Sequence, residues 1–163
     1  MTGAAVITCS TRSASGQRPD TSGLLLADTL RDWGFDVVAH LVVPDDVDEI
    51  QQAFRKVLAE RVRLIITTGG TGPTPMDVTP EAVSPMLQRQ IPGIAERIRA
   101  ANVDKVPTAI LSRGVAGIIG DTLVITLPGS TGGVKDGLAV LQPIIDHIID
   151  QIGGGDHRRG GGV

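Results

Sequence analysis

Little in this sequence is aromatic or sulfur-bearing: it has one tryptophan, two phenylalanines, no tyrosine and one cysteine. With Trp33, Phe35 and Phe54 as its only rings, the chain lacks a platform on which successive bases could stack, so single-strand nucleic-acid recognition is not expected. Cys9 alone cannot form an internal disulfide, a CxxC redox pair or a cysteine-rich zinc site. Positive charge is not in excess either. The 15 Lys+Arg against 18 Asp+Glu leave a net charge of −3, and no basic block offers a footprint for a phosphate backbone. No apolar run approaches the roughly 18 residues of a membrane span, and residues 1–7 carry no basic segment. Neither membrane insertion nor export is expected, and the expected compartment is the cytoplasm.

What is plentiful is glycine, with 21 residues beside 10 prolines, clustered at the ends of apolar runs where turns belong. A length of 163 residues suits one domain, here expected over 1–152, followed by a disordered glycine-rich tail over 153–163. Residues 4–8 read as a buried strand opening into a loop over 9–20. Leu24, Leu25, Leu26, Ala27, Leu30 and Trp33 recur at helical spacing up to Gly34, and a strand follows over 35–43. Asp46 and Glu49 are spaced as a capping box for a helix that carries Ile50, Phe54, Val57 and Leu58 and ends near Glu60. A third strand over 64–68 breaks into Gly69-Gly70-Thr71-Gly72-Pro73. Thr79 is expected to cap a helix with Pro80 in its first position. Further expectations are a helix over 90–102, strands over 108–112 and 122–127, and one long helix over 134–152. Strands alternating with helices imply an α/β fold with a mostly parallel sheet covered on both sides.

In such a sheet ligands gather beyond the carboxyl ends of the strands. Four segments there are rich in hydroxyls, carboxylates and glycine: Ser10 to Ser13, Pro44 to Asp46, Thr67 to Gly72, and Leu127 to Thr131. The glycine loop matches neither GxxxxGK[ST] nor GxGxxG, so a P-loop enzyme or a kinase is unsupported. It either binds an anion or is a tight turn that permits close packing. Capping sorts the carboxylates. Asp46 is consumed as a cap and Thr79 takes the next one, which leaves Asp45 and Asp77 without a structural task. Two such carboxylates beside an anion loop suit Mg²⁺, which takes one or two carboxylates plus substrate phosphates; the alternative is that each caps a turn.

The segments Thr67-Thr68-Gly69-Gly70-Thr71-Gly72-Pro73 and Asp77-Val78-Thr79-Pro80-Glu81-Ala82 resemble the MogA/MoaB family of molybdenum cofactor biosynthesis proteins, related to the G domain of gephyrin. The likeness runs to about Ile152 through Ile91-Pro92-Gly93, Ala109 to Arg113 and Leu127 to Ser130. It implies a three-layer α/β/α domain, assembled as a homotrimer or hexamer, that binds molybdopterin. It also implies Mg²⁺-dependent transfer of AMP from ATP to the terminal phosphate of molybdopterin, with release of pyrophosphate; the alternative is a non-catalytic molybdopterin- or partner-binding oligomer of the MoaB type. Asp45 and Asp77 match the family's two functional aspartates, expected to be catalytic and to hold the metal. Ser10, Arg12, Ser13, Thr68, Gly69, Gly70, Thr71, Gly72, Ser112, Arg113, Pro128, Gly129, Ser130 and Thr131 are expected to line the pterin and nucleotide pocket. The chain departs from the pattern at Thr11, where many members carry aspartate, at Met76, where arginine is common, and at Gly132-Gly133, where lysine often follows.

Other polar residues have ordinary readings. Cys9 is expected to be a buried small residue, His40 and His147 to serve packing or a solvated edge, and Trp33 to lie in the core or a subunit contact. His157, Arg158 and Arg159 read as a solvated cluster.

Overall fold

Consecutive side chains of the first strand, β1 (Gly3–Cys9), go to opposite sides of a sheet, as a period of two demands. Ala4 and Val6 join one apolar cluster; Ala5, Ile7 and Cys9 join the other. Strand residues buried on both sides read as continuous apolar runs, and β3 (Leu64–Thr68) is buried at every position. The computed structural model describes residues 1–155. Between these strands lie α1 (Thr11–Ala14), α2 (Thr21–Asp32), β2 (Asp36–Val43) and α3 (Val47–Ala59). Beyond them come α4 (Thr79–Val83), β4 (Arg89–Gln90), α5 (Pro92–Ala100), β5 (Ala116–Ile119), β6 (Thr122–Leu127), α6 (Thr131–Leu141) and α7 (Ile145–Ile152).

The sheet order is β2-β1-β3-β6-β5-β4. β2, β1, β3 and β6 are parallel neighbours, with Ile65 beside Ala5 on one side and Val124 on the other, while β5 and β4 add antiparallel. One face packs α2, α5, α6 and α7 through Leu26, Leu30, Ile94, Val134, Leu138 and Ile145; the other packs α3 and α4 through Ile50, Phe54, Val57 and Val83. This is the expected three-layer α/β/α arrangement. Fully burying each such apolar side chain contributes about 1.5–3 kcal/mol against the entropy of ordering the chain. The chain leaves β1 for β2 and comes back to β3 on the far side of β1, so a topological switch lies between β1 and β3. Among the described residues, no helix is long and apolar enough to cross a membrane.

Several expected elements differ. The loop over 9–20 carries the single-turn helix α1. Residues 108–112 are no strand but a 3₁₀ turn, Pro107–Leu111, because Pro107 lacks an N–H for a ladder and Ile110 is exposed. The fifth strand is instead Ala116–Ile119, and Gln90, expected in a helix, ends the two-residue β4. The long terminal helix is two, α6 and α7, interrupted around Pro143. Thr79 does not cap α4: Val78 stands at the cap position, and the Thr79 hydroxyl donates to the Gly69 carbonyl at 2.9 Å. That carbonyl belongs to a residue at φ 95°, where the strand turns away, and among the described residues it accepts from no backbone N–H. Residues 153–155, expected in the disordered tail, form a turn closed by Gly155 N–H to the Asp150 carbonyl. The rest of that tail, with His157, Arg158 and Arg159, lies outside the described residues.

Candidate active site

Four adjacent parallel strands end on one side of the sheet, so the loops after β2, β1, β3 and β6 meet although they are far apart in sequence. They enclose a cavity of about 870 Å³ lined by residues that include Ser10, Arg12, Ser13, Asp45, Gly70 and Asp77. A second cavity of about 590 Å³ adjoins it, and Gly70, Asp77, Gly129 and Ser130 border both. Its other wall is more apolar, built from Ile98, Val106, Ala109 and Leu111.

The glycine corner between β3 and α4 is held by backbone. Gly69 and Gly70 have φ of 95° and 68°, values that favour glycine. Gly69 N–H donates back to the Leu127 carbonyl at 3.0 Å, and Thr79 N–H donates to the Gly70 carbonyl at 3.0 Å. The N–H groups of Gly70, Thr71 and Gly72 donate to no atom of the described residues. Successive amides left unpartnered in a turn are what an anion-binding nest is built from. Across the cavity, Ser130 caps α6 by accepting from Gly133 N–H at 3.0 Å. The positive end of α6 therefore faces the same space.

The two aspartates are not without structural work, contrary to the expectation from capping. Thr11 donates to Asp45 Oδ2 through its amide, at 3.1 Å, and its hydroxyl, at 3.2 Å. Thr74 does the same to Asp77 Oδ2, at 3.1 Å and 2.7 Å. In each case Oδ2 is held and Oδ1 accepts no hydrogen bond among the described residues. Asp45 Oδ1 is moreover buried, and it lies 3.1 Å from where a Cβ on Gly70 would stand. An unsatisfied buried acceptor costs about 1–3 kcal/mol. A hard cation would satisfy it, and carboxylate oxygens are the donors that Mg²⁺ prefers. No group of three His, Cys, Asp or Glu among the described residues forms a cage, so phosphate oxygens would have to complete the coordination.

The remaining expected residues divide. Ser10, Arg12, Ser13, Thr68, Gly69, Gly70, Gly129, Ser130 and Thr131 line the first cavity. Thr71, Gly72, Ser112 and Pro128 line the second. Several of their hydroxyls are engaged: Ser10 caps α1 by accepting from Ser13 N–H, and Thr68 donates to the Pro128 carbonyl at 2.8 Å. Ser112 donates to Thr71 Oγ1 at 3.2 Å. Arg113 lines neither cavity. Its guanidinium donates to the Gly72 and Asp77 carbonyls, each at 2.9 Å, and to the Glu81 carboxylate, so it braces the corner from behind. That pairing holds the Glu81 carboxyl below the usual carboxylate range.

Arg18, Thr74, Thr8 and Ser22 also line the first cavity, beyond the set expected from the sequence. Arg12 and Arg18 form no ion pair among the described residues, which leaves two cations at a site suited to anions. The Thr-x-x-Asp spacing of Thr74 and Asp77 is a readable signal; Arg18, in an irregular loop, has none. Met76 lines the cavity next to Asp77, with 63% of its surface exposed, and supplies no charge. His40 is more than packing: its Nε2 lies 2.7 Å from Asp20 Oδ2, which also accepts from Thr8 Oγ1 at 2.8 Å. Asp20 Oδ1 accepts from Gly23 N–H at 3.0 Å, tying the start of α2 to β1 and β2. Burial pushes the Cys9 thiol up to about 12, opposed by a hydrogen bond with Thr79 and reinforced by the nearby Asp45 charge. Cys9 is the buried small residue expected.

Residues 5–147 match the family described as "Probable molybdopterin binding domain". The chain belongs to that family. Its place is in molybdenum cofactor biosynthesis, among the MogA and MoaB proteins. The molybdopterin biosynthesis Mog protein from Mycobacterium ulcerans has a TM-score of 0.89 to it at 45% identity, covering 93% of this chain and 99% of that one. MoaB from Thermus thermophilus has a TM-score of 0.88 at 39% identity, covering 94% and 98%. Molybdopterin adenylyltransferase from Helicobacter pylori J99 is 36% identical over 150 residues, 90% of this chain and 85% of that protein. This member of the molybdopterin-binding family also matches parts of longer proteins: it spans 49% of a molybdenum cofactor biosynthesis bifunctional protein from Chlorobaculum tepidum and 16% of gephyrin from Dictyostelium discoideum.

Proposed function

We propose that this protein is a molybdopterin adenylyltransferase that uses ATP and Mg²⁺. The observation that carries the proposal is the pairing of Asp45 and Asp77 on one cavity with the glycine corner, Asp45 Oδ1 being buried and unpartnered. In the reaction an oxygen of the molybdopterin terminal phosphate attacks the α-phosphorus of ATP in line. One P–O bond forms, the bond from that phosphorus to the bridging oxygen breaks, and pyrophosphate leaves. Such a transfer needs alignment and charge neutralisation more than proton chemistry. Gly70, Thr71 and Gly72 amides and the start of α6 hold phosphate oxygens, while Arg12 and Arg18 offset the charge of the polyphosphate. The apolar wall of Ile98, Val106 and Leu111 receives a flat ring. Asp45 and Asp77 would hold Mg²⁺ together with the phosphates. The ion supplies Lewis-acid stabilisation of the charge that gathers on the leaving group.

Asp77→Asn is expected to keep the fold and assembly while abolishing ATP-dependent formation of adenylyl-molybdopterin and pyrophosphate. Turnover at the wild-type rate in that variant rejects the assignment. A passive molybdopterin-binding oligomer is the second reading, favoured by Met76 in the first cavity and Gly132 and Gly133 in the second, three positions whose own side chains carry no charge, although Arg12 and Arg18 line the first cavity and Arg99 and Lys135 the second. Calorimetric titration with Mg-ATP, with and without molybdopterin, separates the two, since pterin binding without nucleotide binding supports the passive one. The assembly we propose is a homotrimer or hexamer, to be measured by sedimentation, in the cytoplasm.

A further inference from the structure

Asp45 and Asp77 come from different loops, after β2 and after β3, yet each meets a threonine in the same way. Thr11 and Thr74 each direct an amide and a hydroxyl at the Oδ2 of their aspartate, within 2.7–3.2 Å. Each pair is also closed by backbone in return: Asp45 N–H donates to Thr11 Oγ1 at 3.0 Å, and Asp77 N–H donates to the Thr74 carbonyl at 3.1 Å. An aspartate carboxylate otherwise turns freely about its last bond and exchanges its two oxygens. Two donors on one oxygen stop that exchange and fix which atom is left to coordinate. For Asp45 the atom left over is the buried, unpartnered Oδ1 beside Gly70. At Asp77 it is the clamped Oδ2 that abuts the same corner, 2.7 Å from where a Cβ on Gly72 would stand, while Oδ1, the oxygen left over, lies 3.9 Å from that point.

We propose that Thr11 and Thr74 are positioning residues, a matched pair of clamps that orient the two aspartates for a divalent cation shared with ATP. The proposal rests on the Mg-ATP reading of this site and adds two residues to it. It assigns Thr11 a role that an aspartate there could not fill, since a carboxylate has no proton to donate to Asp45 at neutral pH. Partners that orient metal ligands typically change metal affinity by about 10- to 100-fold when removed. Because the threonine amides persist in any variant, the lower end of that range is expected here.

The test is Mn²⁺ titration of the full chain in the presence of ATP, followed by electron paramagnetic resonance, with ATP affinity and melting temperature measured in parallel. Asp45→Asn serves as the control. Thr11→Val and Thr74→Val are each expected to weaken Mn²⁺ retention about tenfold, more than they weaken metal-free ATP binding, and Thr11→Ser and Thr74→Ser to restore it. If Asp45→Asn weakens retention and the valine variants do not, the clamps are overturned while the Mg-ATP reading stands. If the wild-type protein retains no Mn²⁺ with ATP, or Asp45→Asn changes nothing, the reading fails and the proposal with it. A loss in the valine variants that serine does not restore also overturns the clamps, since a hydroxyl at the position then fails to hold the aspartate and the defect lies in how the side chain fills its site.

Discussion

The carbonyl oxygen of Cys9 fills the space that a side chain on Gly69 would need: a Cβ there would stand 2.3 Å from it. This contact joins the end of β1 to the corner after β3 and sets how closely the two loops that carry the site approach each other. Gly69→Ala meets both that backbone atom and a φ of 95°. A loss of stability of roughly 2 kcal/mol or more is expected, read as a lower urea midpoint.

Arg113 contributes from outside the cavities. Its planar fork reaches two carbonyls and a carboxylate at once, a geometry lysine cannot copy. Arg113→Lys is therefore expected to raise the Mg²⁺ concentration needed for half-maximal activity several-fold, by loosening Asp77, with little change in molybdopterin affinity. Hydrogen exchange of residues 71–77 should quicken in parallel. The Glu81 carboxyl titrates lower folded than the ordinary 4.5, so the stabilisation it contributes is present above 4.5 and lost as pH falls through the lower folded value. Glu81→Gln should weaken the brace without that pH dependence.

Arg12 and Arg18 stand on the rim of the larger cavity without ion-pair partners among the described residues. Arg18→Ala is expected to raise KM for ATP about five- to tenfold, with a smaller effect on kcat and a larger one at low salt. An unchanged KM would remove Arg18 from the phosphate site.

Cys9 offers a pH test of the core. An unfolded thiol releases its proton near 9.0, whereas the folded one holds it to about 12. Between those values the unfolded state binds fewer protons, so stability falls as pH rises, by about 1.4 kcal/mol per pH unit within the window. Cys9→Ala should abolish that slope in denaturant titrations. Because the chain has no tyrosine, thiolate absorbance can be followed without tyrosinate beneath it.

Much of the sheet could be read along the chain, because its signals are local. Residues 64–68 are apolar or β-branched and buried at each position, and the Asp46 side chain accepts from Glu49 N–H as its spacing requires. Gly34 ends α2 with φ 91°, a conformation that glycine adopts at least cost. The errors fell where short apolar runs carry no decisive period. Residues 108–112 look like a strand in sequence, yet Pro107 and the missing ladder partners make them a turn, while the true β5 contains the unpromising Gly117. Gly117 is needed because a Cβ there would lie 2.4 Å from the Arg89 carbonyl of β4.

The sequence by itself determined the α/β class with a mostly parallel sheet, the succession of the first three strands and their helices along the chain, and the glycine corner. Propensity, capping and turn chemistry act over a few neighbouring residues and need no knowledge of the rest. It also singled out Asp45 and Asp77, but for an incomplete reason, since both are engaged through one oxygen. Only the tertiary structure decided that Thr11 holds the Asp45 oxygen, that Thr79 serves the Gly69 carbonyl and not a helix start, and that Arg113 lies behind the corner while Arg18 faces the cavity. A hydroxyl or guanidinium has several partners of similar strength within reach of its own loop. Which one it takes depends on groups that the sheet brings from 34 to 41 positions away, such as Asp45 for Thr11 and Gly72 for Arg113.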